Sequence, residues 1–304
     1  MDTRRIGSLE VSVVGLGCNN FGRRLDAAAT ARVVGEALDA GVTLFDTADM
    51  YGGTKSEEFL GRALAGTRDR VAIATKFGWP IDETRRGASA AYVTRAVEDS
   101  LRRLGTDRID LYQLHRPDPE TPIAETLGAL AELVRAGKVR ELGCSNFTAA
   151  QLAEAEAAAA GGPRFVSVQN EYSLLQREPE AEVLPACERL GLSFLPYFPL
   201  ANGLLTGKYR QGQPAPAGTR LAEPGRGELD PRKLETVERL QAFAADRGHT
   251  LLELAFAFLL ARPRVASVIA GATKPEQVRA NAAAAAWTLG PDDRRALDRL
   301  LAAS

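Results

Sequence analysis

Short apolar runs alternate with longer amphipathic stretches along most of the chain. The runs are rich in Val, Ile, Leu and Phe, which is typical of buried parallel strands. They span 13–17, 43–48, 71–76, 109–115, 139–145, 165–169, 192–197 and 265–271. This strand–helix alternation predicts one α/β domain over residues 1–304, and eight such units are the number that closes a (β/α)8 TIM barrel. An open doubly wound sheet is the main structural alternative.

Helical patterns fill the intervals between the strands. They span 27–41, 56–64, 89–105, 121–137 and 148–162, and all but the first begin at Ser or Thr. Ser56 is the expected N-cap of the second helix. A polar loop at 207–231 then precedes extra helical patterns near the C-terminal end of the chain, and its length favours a functional lid over a solvated surface excursion.

The first residues do not follow this alternation. Gly7 and Ser8 separate the short runs 4–6 and 9–11, which is favourable chemistry for a two-residue β-hairpin. We expect a hairpin that closes the N-terminal end, or bottom, of the barrel. A frayed terminus is the alternative.

Composition narrows the class of protein further. Of 304 residues, 45% are hydrophobic and 25% charged, and the net charge of −1 gives no electrostatic case for binding nucleic acid or an anionic membrane. The three cysteines form no CxxC pair, and only His115 and His249 are available as histidine ligands, so we expect no metal site. There is no signal-peptide pattern and no apolar run of membrane-spanning length, so we expect a cytoplasmic protein.

One glycine-rich segment invites a dinucleotide-binding interpretation. Gly15 and Gly17 lie at the end of the first barrel strand and Gly22 follows it, but Asn20 stands where the Rossmann fingerprint needs a third glycine. The pattern therefore favours a glycine-rich loop at the barrel mouth. The chain also contains no P-loop and no GxSxG nucleophile elbow.

Polar residues follow three consecutive apolar strands, and this is the strongest chemical signal in the chain. Asp46 ends the second strand and Tyr51 comes just after it, Lys76 ends the third, and His115 ends the fourth. In a barrel these are the carboxyl ends of the strands, where active sites are built. The Lys76 ammonium is expected to lower the pKa of Tyr51, and Asp46 to keep Lys76 charged. With His115 orienting a carbonyl oxygen, the group forms a general acid for converting a carbonyl into an alcohol.

The motifs FDTADMYG, ATKFG, LYQLHRPD and GCSNF, in this order, resemble the aldo-keto reductase superfamily. The resemblance runs from GLGCNNFG to IAGATKPEQVRAN, which is nearly the whole chain. It implies a TIM barrel that reduces aldehydes and ketones by hydride transfer from a nicotinamide cofactor, usually NADPH, without a metal. It also implies that Asp46, Tyr51, Lys76 and His115 are the catalytic tetrad, with Tyr51 as the proton donor.

The resemblance further implies how the cofactor is held. Ser145, Asn146 and Gln169 match the residues that bind the carboxamide, and Tyr197 matches the aromatic that stacks on the nicotinamide ring. Phe198 replaces a serine that is frequent in the family, so a side-chain contact to the pyrophosphate is missing. The other implied cofactor positions are Gly17, Cys18, Asn19, Pro199, Leu200, Gly203, Leu205, Lys208, Arg220, Gly271, Thr273, Lys274, Gln277 and Asn281.

Lys274 is the expected contact of the adenosine 2′-phosphate, with Arg220 and Arg279 nearby, so a preference for NADPH is expected. Arg279 as plain helix surface is the alternative. Ala280 stands where the family commonly has Glu, which removes one adenine contact.

The substrate pocket is expected to be lined by residues of the mouth loops. These are Asn20, Phe21, Phe77, Trp79 and Arg116. Their aromatic rings suit aromatic carbonyl compounds. The last predicted helix, PDDRRALDRLLAA, leaves no residues before Ser304 for a loop over the mouth, so we expect an open pocket and broad specificity.

Two other functional classes stay open at this stage. One is an NADPH-binding regulatory subunit with slow or vestigial reductase activity, and the other is a metal-dependent barrel isomerase. The intact tetrad favours the enzyme over the subunit, and the scarcity of histidines disfavours the isomerase. The expected partner is a small carbonyl substrate, and the expected assembly is a monomer or a weak homo-oligomer.

Overall fold

The structure, a computed structural model, describes residues 1–223 and 230–302. The strands are β1 (Thr3–Ile6), β2 (Leu9–Ser12), β3 (Val14–Gly17), β4 (Leu44–Asp46), β5 (Ala72–Phe77), β6 (Ile109–Leu114), β7 (Val139–Ser145), β8 (Phe165–Glu171), β9 (Ser193–Tyr197) and β10 (Val268–Gly271). The eight predicted barrel strands are therefore all confirmed, with small shifts at their ends.

The eight strands from β3 to β10 form one parallel sheet that curls into a barrel. Its order is β10-β3-β4-β5-β6-β7-β8-β9, which is chain order apart from the return of β10 to the side of β3. The remaining gap is bridged where Phe194 N donates to Arg264 O (2.6 Å) and Ala266 N donates to Phe194 O (3.0 Å). The (β/α)8 barrel is confirmed, and the doubly wound alternative is wrong because its strand order would reverse part-way.

Helices cover the outside of the barrel and bury an apolar layer against it. They are α1 (Ala27–Asp39), α2 (Lys55–Ala63), α3 (Ala90–Leu104), α4 (Ile123–Arg135), α5 (Ala149–Ala158), α6 (Val183–Leu190), α7 (Pro231–Ala245), α8 (Leu251–Leu260), α9 (Pro275–Ala284) and α10 (Pro291–Ala302). No helix within residues 1–223 and 230–302 is long and apolar enough to cross a membrane.

Helix starts were only partly predicted by the sequence. Ser89 and Thr148 cap α3 and α5 through their side chains, as expected. Ser56 is not an N-cap, because α2 begins one residue earlier and the Ser56 hydroxyl donates to the carbonyl oxygen of Cys18 at 2.9 Å. Thr121 is not a cap either, since α4 begins after Pro122 and the Thr121 hydroxyl donates to Asp118.

The predicted hairpin is confirmed and closes the bottom of the barrel. β1 and β2 pair in antiparallel register, and the turn places Gly7 at a φ of +56°, a conformation that glycine adopts without strain. Ile6, Leu9 and Val11 are fully or almost fully buried in a cluster with inward-facing side chains of the barrel strands. The frayed-terminus alternative is therefore wrong.

The loop after β9 is described as far as residue 223, and residues 224–229 of the predicted lid lie outside the described residues. The described part reaches across the barrel mouth to the loop after β3. There Arg24 donates to the carbonyl oxygen of Gly218 at 3.0 Å and forms an ion pair with Glu223 at 3.0 Å. The two helical patterns after this loop are confirmed as α7 and α8.

Two helical glycines provide a test of how closely the outer helices pack. A Cβ at Gly61 in α2 would lie far inside van der Waals contact of the Leu104 carbonyl, whereas a Cβ at Gly35 in α1 would meet no atom within 4 Å. We expect Gly61→Ala to lower the free energy of unfolding by about 1–3 kcal/mol, because backbone must move to admit the methyl group. Gly35→Ala should raise it by up to about 1 kcal/mol through helix propensity. Urea unfolding of both variants checks this, and equal effects would contradict the close approach of α2 to α3.

Candidate active site

A buried ion pair lies at the centre of the barrel, where β4 and β5 end. Lys76 Nζ is 2.6 Å from Asp46 Oδ2 and donates to the Thr47 carbonyl at 2.9 Å. The other carboxylate oxygen of Asp46 accepts from the side-chain amides of Gln169 (2.9 Å) and Gln113 (3.2 Å). Burial alone would lower the pKa of Lys76, but the Asp46 carboxylate and the neighbouring Tyr51 raise it overall, so Lys76 is an ammonium.

Tyr51 lies beside this pair, with Lys76 Nζ 5.2 Å from the centre of its ring. The expected lowering of the Tyr51 pKa is wrong in its net direction. Burial raises the pKa of Tyr51, and this outweighs the opposing effect of the Lys76 charge. The phenol therefore stays protonated at neutral pH, which keeps a proton available to donate.

His115 follows β6 and packs its ring edge-on to Tyr51, with 5.8 Å between ring centres. It is 7% exposed. Burial, together with the charges of Lys76 and Arg116, lowers the pKa of His115 to about 2. The imidazole is thus neutral at neutral pH and can donate a hydrogen bond without carrying a charge.

The sequence-predicted side chains converge on one cavity of about 1070 Å³ at the carboxyl ends of the strands. Its lining includes most of the residues that the sequence singled out. These are Gly17, Cys18, Asn19, Asn20, Asp46, Tyr51, Trp79, His115, Ser145, Asn146, Gln169, Tyr197, Phe198, Pro199, Leu200, Gly203, Lys208, Arg220, Gly271, Thr273, Lys274, Gln277 and Asn281.

Some predicted site residues do not line the cavity. Lys76 lies behind Asp46 and Tyr51, and Leu205 is fully buried. The expectation that Phe21 and Phe77 wall the substrate pocket is wrong. Both are fully buried, and Phe77 stacks on Tyr112 with ring centres 4.6 Å apart, on the opposite face of β5 from Lys76.

Arg116 lies at the mouth without lining the cavity itself, and it reaches the site through Trp79. Its guanidinium carbon is 4.8 Å from the Trp79 ring centre, and that ring centre is 5.3 Å from the His115 ring centre. Trp79 is 37% exposed and lines the cavity. This aromatic is therefore a wall of the site and is not packed away within its own loop.

The four polar residues matched to the carboxamide and nicotinamide ring are linked in one hydrogen-bonded chain. Tyr197 donates to Asn146 Oδ1 at 2.9 Å, Asn146 donates to the Ser145 hydroxyl at 3.1 Å, and Ser145 donates to the Gln169 carbonyl at 2.7 Å. Asn146 has a φ of +62°, a backbone conformation that is uncommon outside glycine and that clusters at functional sites. No described residue donates to the side-chain oxygen of Gln169, which is left to accept a ligand N–H.

Several cationic side chains line the cavity. Lys208 and Arg220 come from the long loop, Arg24 comes from the loop after β3, and Lys274 precedes α9. Burial lowers the pKa of Lys208, and the charge of Arg24, which lines the same cavity, lowers it further. Such a cradle suits the phosphates of a dinucleotide. Arg279 is not part of it, since it pairs with Glu36 of α1 and Glu276.

Sequence reasoning missed part of the lining, in particular Arg23, Arg24, Met50, Thr206 and Thr219. The adjacent arginines after the glycine-rich segment were an available signal, because paired cations at a mouth loop are typical of anion binding. Met50 and the two threonines carried no such signal. Within residues 1–223 and 230–302, no group of three or more His, Cys, Asp and Glu side chains could hold a metal ion.

Comparison with known proteins identifies a family and several similar proteins. The sequence model described as the Aldo/keto reductase family matches residues 13–302. The chain is 36% identical to "Aldo-keto reductase YhdN" of Bacillus subtilis (strain 168), over 96% of this chain and 91% of that protein. It is also 35% identical to "Probable voltage-gated potassium channel subunit beta" of Oryza sativa subsp. japonica, over 86% and 83% of the two chains.

Among solved structures, the glycerol dehydrogenase AKR11B4 from Gluconobacter oxydans superimposes with a TM-score of 0.86 at 32% identity. The match covers 99% of this chain and 95% of that one.

The lowered pKa of His115 has a direct spectroscopic consequence. We expect the His115 imidazole to stay neutral from about pH 8 down to about pH 4, because burial and two neighbouring cations oppose its protonation. The ring-proton chemical shifts in an NMR titration measure this. A His249→Gln variant assigns the two histidine signals, since the chain has only two. A His115 signal that titrates near pH 6.5, the ordinary value, would contradict this environment.

Proposed function

The chain belongs to the aldo/keto reductase family of oxidoreductases, and we propose that it reduces aldehydes and ketones to alcohols with NADPH. The proposal depends chiefly on one observation: the Tyr51 ring lies 5.2 Å from Lys76 of the Asp46–Lys76 pair and 5.8 Å from the His115 ring, and Asp46, Tyr51 and His115 line the same cavity. A protonated phenol, a fixed ammonium and a neutral imidazole are the groups needed to protonate and orient a carbonyl oxygen.

Tyr51 is the general acid in this proposal. Its hydroxyl gives its proton to the carbonyl oxygen as negative charge develops there. The Lys76 ammonium stabilises the phenolate that is left, because it is held near the Tyr51 ring by its contacts to Asp46 and Thr47. His115 donates a hydrogen bond to the same oxygen and fixes its position between the two rings.

The residues of the cavity fit a nicotinamide dinucleotide. When bound, NADPH supplies the hydride for the carbonyl carbon. Gln169 and Asn146 would hold the carboxamide, Tyr197 would pack on the nicotinamide ring, and Lys208 and Arg220 would bind the pyrophosphate. Gly17, Cys18 and Asn19, with the backbone of 198–205, would complete the walls. Gly271, Thr273, Lys274, Gln277 and Asn281, at the start of α9, would take the adenosine end.

Substrate breadth follows from the walls of the mouth. Trp79 presents an exposed aromatic face next to His115, which supports the use of aromatic aldehydes. With Phe21 and Phe77 turned into the core, Trp79 is the main aromatic contact left for the substrate among the residues first expected there.

The alternative functions are distinguishable by simple measurements. A regulatory subunit with a vestigial site would oxidise bound NADPH only slowly when an aldehyde is added, which a single-turnover absorbance measurement would detect. The intact tetrad supports the enzyme. A metal-dependent isomerase would lose activity in excess chelator, and we expect none to be lost.

Replacing the proton donor tests the mechanism. We expect Tyr51→Phe to reduce kcat by about 10²–10⁴-fold, because only the phenolic proton is removed. Its Kd for NADPH, from fluorescence titration, should stay close to the wild-type value. Tyr112→Phe is the matched control, because the Tyr112 hydroxyl is buried outside the cavity without a hydrogen-bond partner in the described part of the chain. If Tyr51→Phe kept half of the wild-type kcat, another group would be the acid.

Cofactor preference tests the assignment of Lys274. We expect tighter binding of NADPH than of NADH, and a loss on the order of 10-fold in that preference for Lys274→Ala, since an exposed charge-assisted contact to the 2′-phosphate is removed. The preference should also weaken at high salt. Arg279→Ala is the control, because Arg279 is held by Glu36 and Glu276. Equal Kd values of the wild type for both cofactors would contradict the assignment.

A further inference from the structure

Among the described residues that line the cavity, Trp79 is the one exposed aromatic, and a cation lies on the face of its ring. Arg116 directly follows His115, and its guanidinium carbon lies 4.8 Å from the centre of the Trp79 ring. Trp79 in turn lies beside His115, 5.3 Å between ring centres. When the carbonyl oxygen of a substrate lies between Tyr51 and His115, the rest of the substrate can therefore extend along Trp79 towards Arg116.

In the part of the chain that the structure describes, the guanidinium of Arg116 donates no hydrogen bond and has no carboxylate within 4 Å, and its one ring contact is to Trp79. The nearby carboxylate of Asp118 is already engaged, since it accepts hydrogen bonds from the backbone of Ala88 and Glu120 and from the Thr121 hydroxyl. The charge of Arg116 nevertheless reaches into the site, because it contributes to lowering the pKa of His115.

The charges that line the cavity would not repel an anionic substrate. Asp46 is the one acidic residue among the described lining residues, and it is paired with Lys76. Lys208, Arg220 and Lys274 are accounted for by the cofactor phosphates in the proposed function. Arg23 and Arg24 pair with Glu223, whereas Arg116 stacks on Trp79, the aromatic beside His115.

We propose that Arg116, stacked on Trp79, is a specificity residue that binds an anionic group, a carboxylate or a phosphate, carried by the carbonyl substrate. This inference rests on the proposed function and names the substrate class of the same site. A planar guanidinium matches the two oxygens of such a group, and the indole face below it holds the guanidinium in place. The distances from the His115 ring to the Trp79 ring (5.3 Å) and from the Trp79 ring to Arg116 (4.8 Å) define the path that such a substrate would span, and benzaldehydes with an anion in the para position probe it.

Matched substrates separate charge from size. We would compare 4-carboxybenzaldehyde with the neutral 4-carbamoylbenzaldehyde, using NADPH and measuring kcat and KM. The wild type should favour the carboxylate by at least about 5-fold in kcat/KM, mainly through KM, and the preference should shrink at high salt. A third substrate, 4-formylphenyl phosphate, shows whether a phosphate is preferred to a carboxylate.

Substitutions then assign the preference to one side chain. Arg116→Gln should bring the carboxylate-to-amide ratio to about 1, and Arg116→Lys should keep part of it, because the charge stays while the planar fork is lost. Arg32→Gln removes the same charge from the exposed face of α1 and should leave the ratio unchanged. Since the result is a ratio within each variant, differences in substrate reactivity and in the fraction of folded enzyme cancel.

Binding can be read without turnover. The chain has two tryptophans, so a Trp287→Phe background leaves Trp79 as the reporter. In the presence of NADP+, the non-reactive 4-methylbenzoate should change its fluorescence at lower concentration than 4-methylbenzamide does, and Arg116→Gln should remove this difference.

Three outcomes would overturn the inference. A wild type that reduces the amide as well as the carboxylate would refute it and leave the proposed function standing. An Arg116→Gln variant that loses both substrates equally would show that Arg116 only supports the Trp79 ring. A wild type that reduces no aldehyde would refute the proposed function and this inference together.

Discussion

A charged amine inside a barrel is tolerated only if a carboxylate and further hydrogen bonds compensate for its removal from water. Lys76 is fully buried, and its partner Asp46 is held by two glutamine side chains that come from β6 and β8. Four of the eight barrel strands therefore place one residue each in this pair and its surroundings. The positions of Tyr51 and His115 depend on the ends of the same strands. The register of the barrel strands therefore also determines the geometry of the site.

The same arrangement explains why Tyr51 and His115 are both uncharged. Burial, more than any single neighbour, sets the state of both groups that face the cavity. It raises the pKa of Tyr51 and lowers the pKa of His115, so that each stays neutral at neutral pH. The charges that act on Tyr51 are those of the paired Asp46 and Lys76, and His115 is acted on by Lys76 and the exposed Arg116.

Much of the site was predictable because strand ends can be read from a sequence. Asp46, Lys76 and His115 each follow a buried apolar run, and parallel strands bring such ends to one rim. The net direction of the Tyr51 shift was not predictable, since it depends on how much water the folded loops exclude. The position of Phe77 could have been anticipated. Side chains alternate along a strand, so Phe77 points away from the barrel axis and into the core under the helices when Lys76 points towards the axis.

Contacts between distant segments were beyond the reach of the sequence. Arg24 meets Gly218 and Glu223 across nearly two hundred residues of chain, and no local pattern links the two loops. Ser56 illustrates the same limit at short range. Its hydroxyl was expected to cap its own helix but instead joins the ends of β3 and β4 through Cys18 and Thr47.

The hairpin at the bottom of the barrel also bears on how the chain acquires its structure during synthesis. Arg4, in the first strand, donates to the carbonyl oxygens of Leu260 and Val265, and β3 pairs with β10. At translation rates of about 5–20 residues per second, the earliest residues wait roughly 13–50 s for these partners to leave the ribosome. During that interval the apolar side chains of Ile6, Leu9 and Val11 have no completed barrel to enter. The hairpin is thus synthesised first, but its contacts with residues 260–265 at the bottom of the barrel can form only when synthesis is nearly complete.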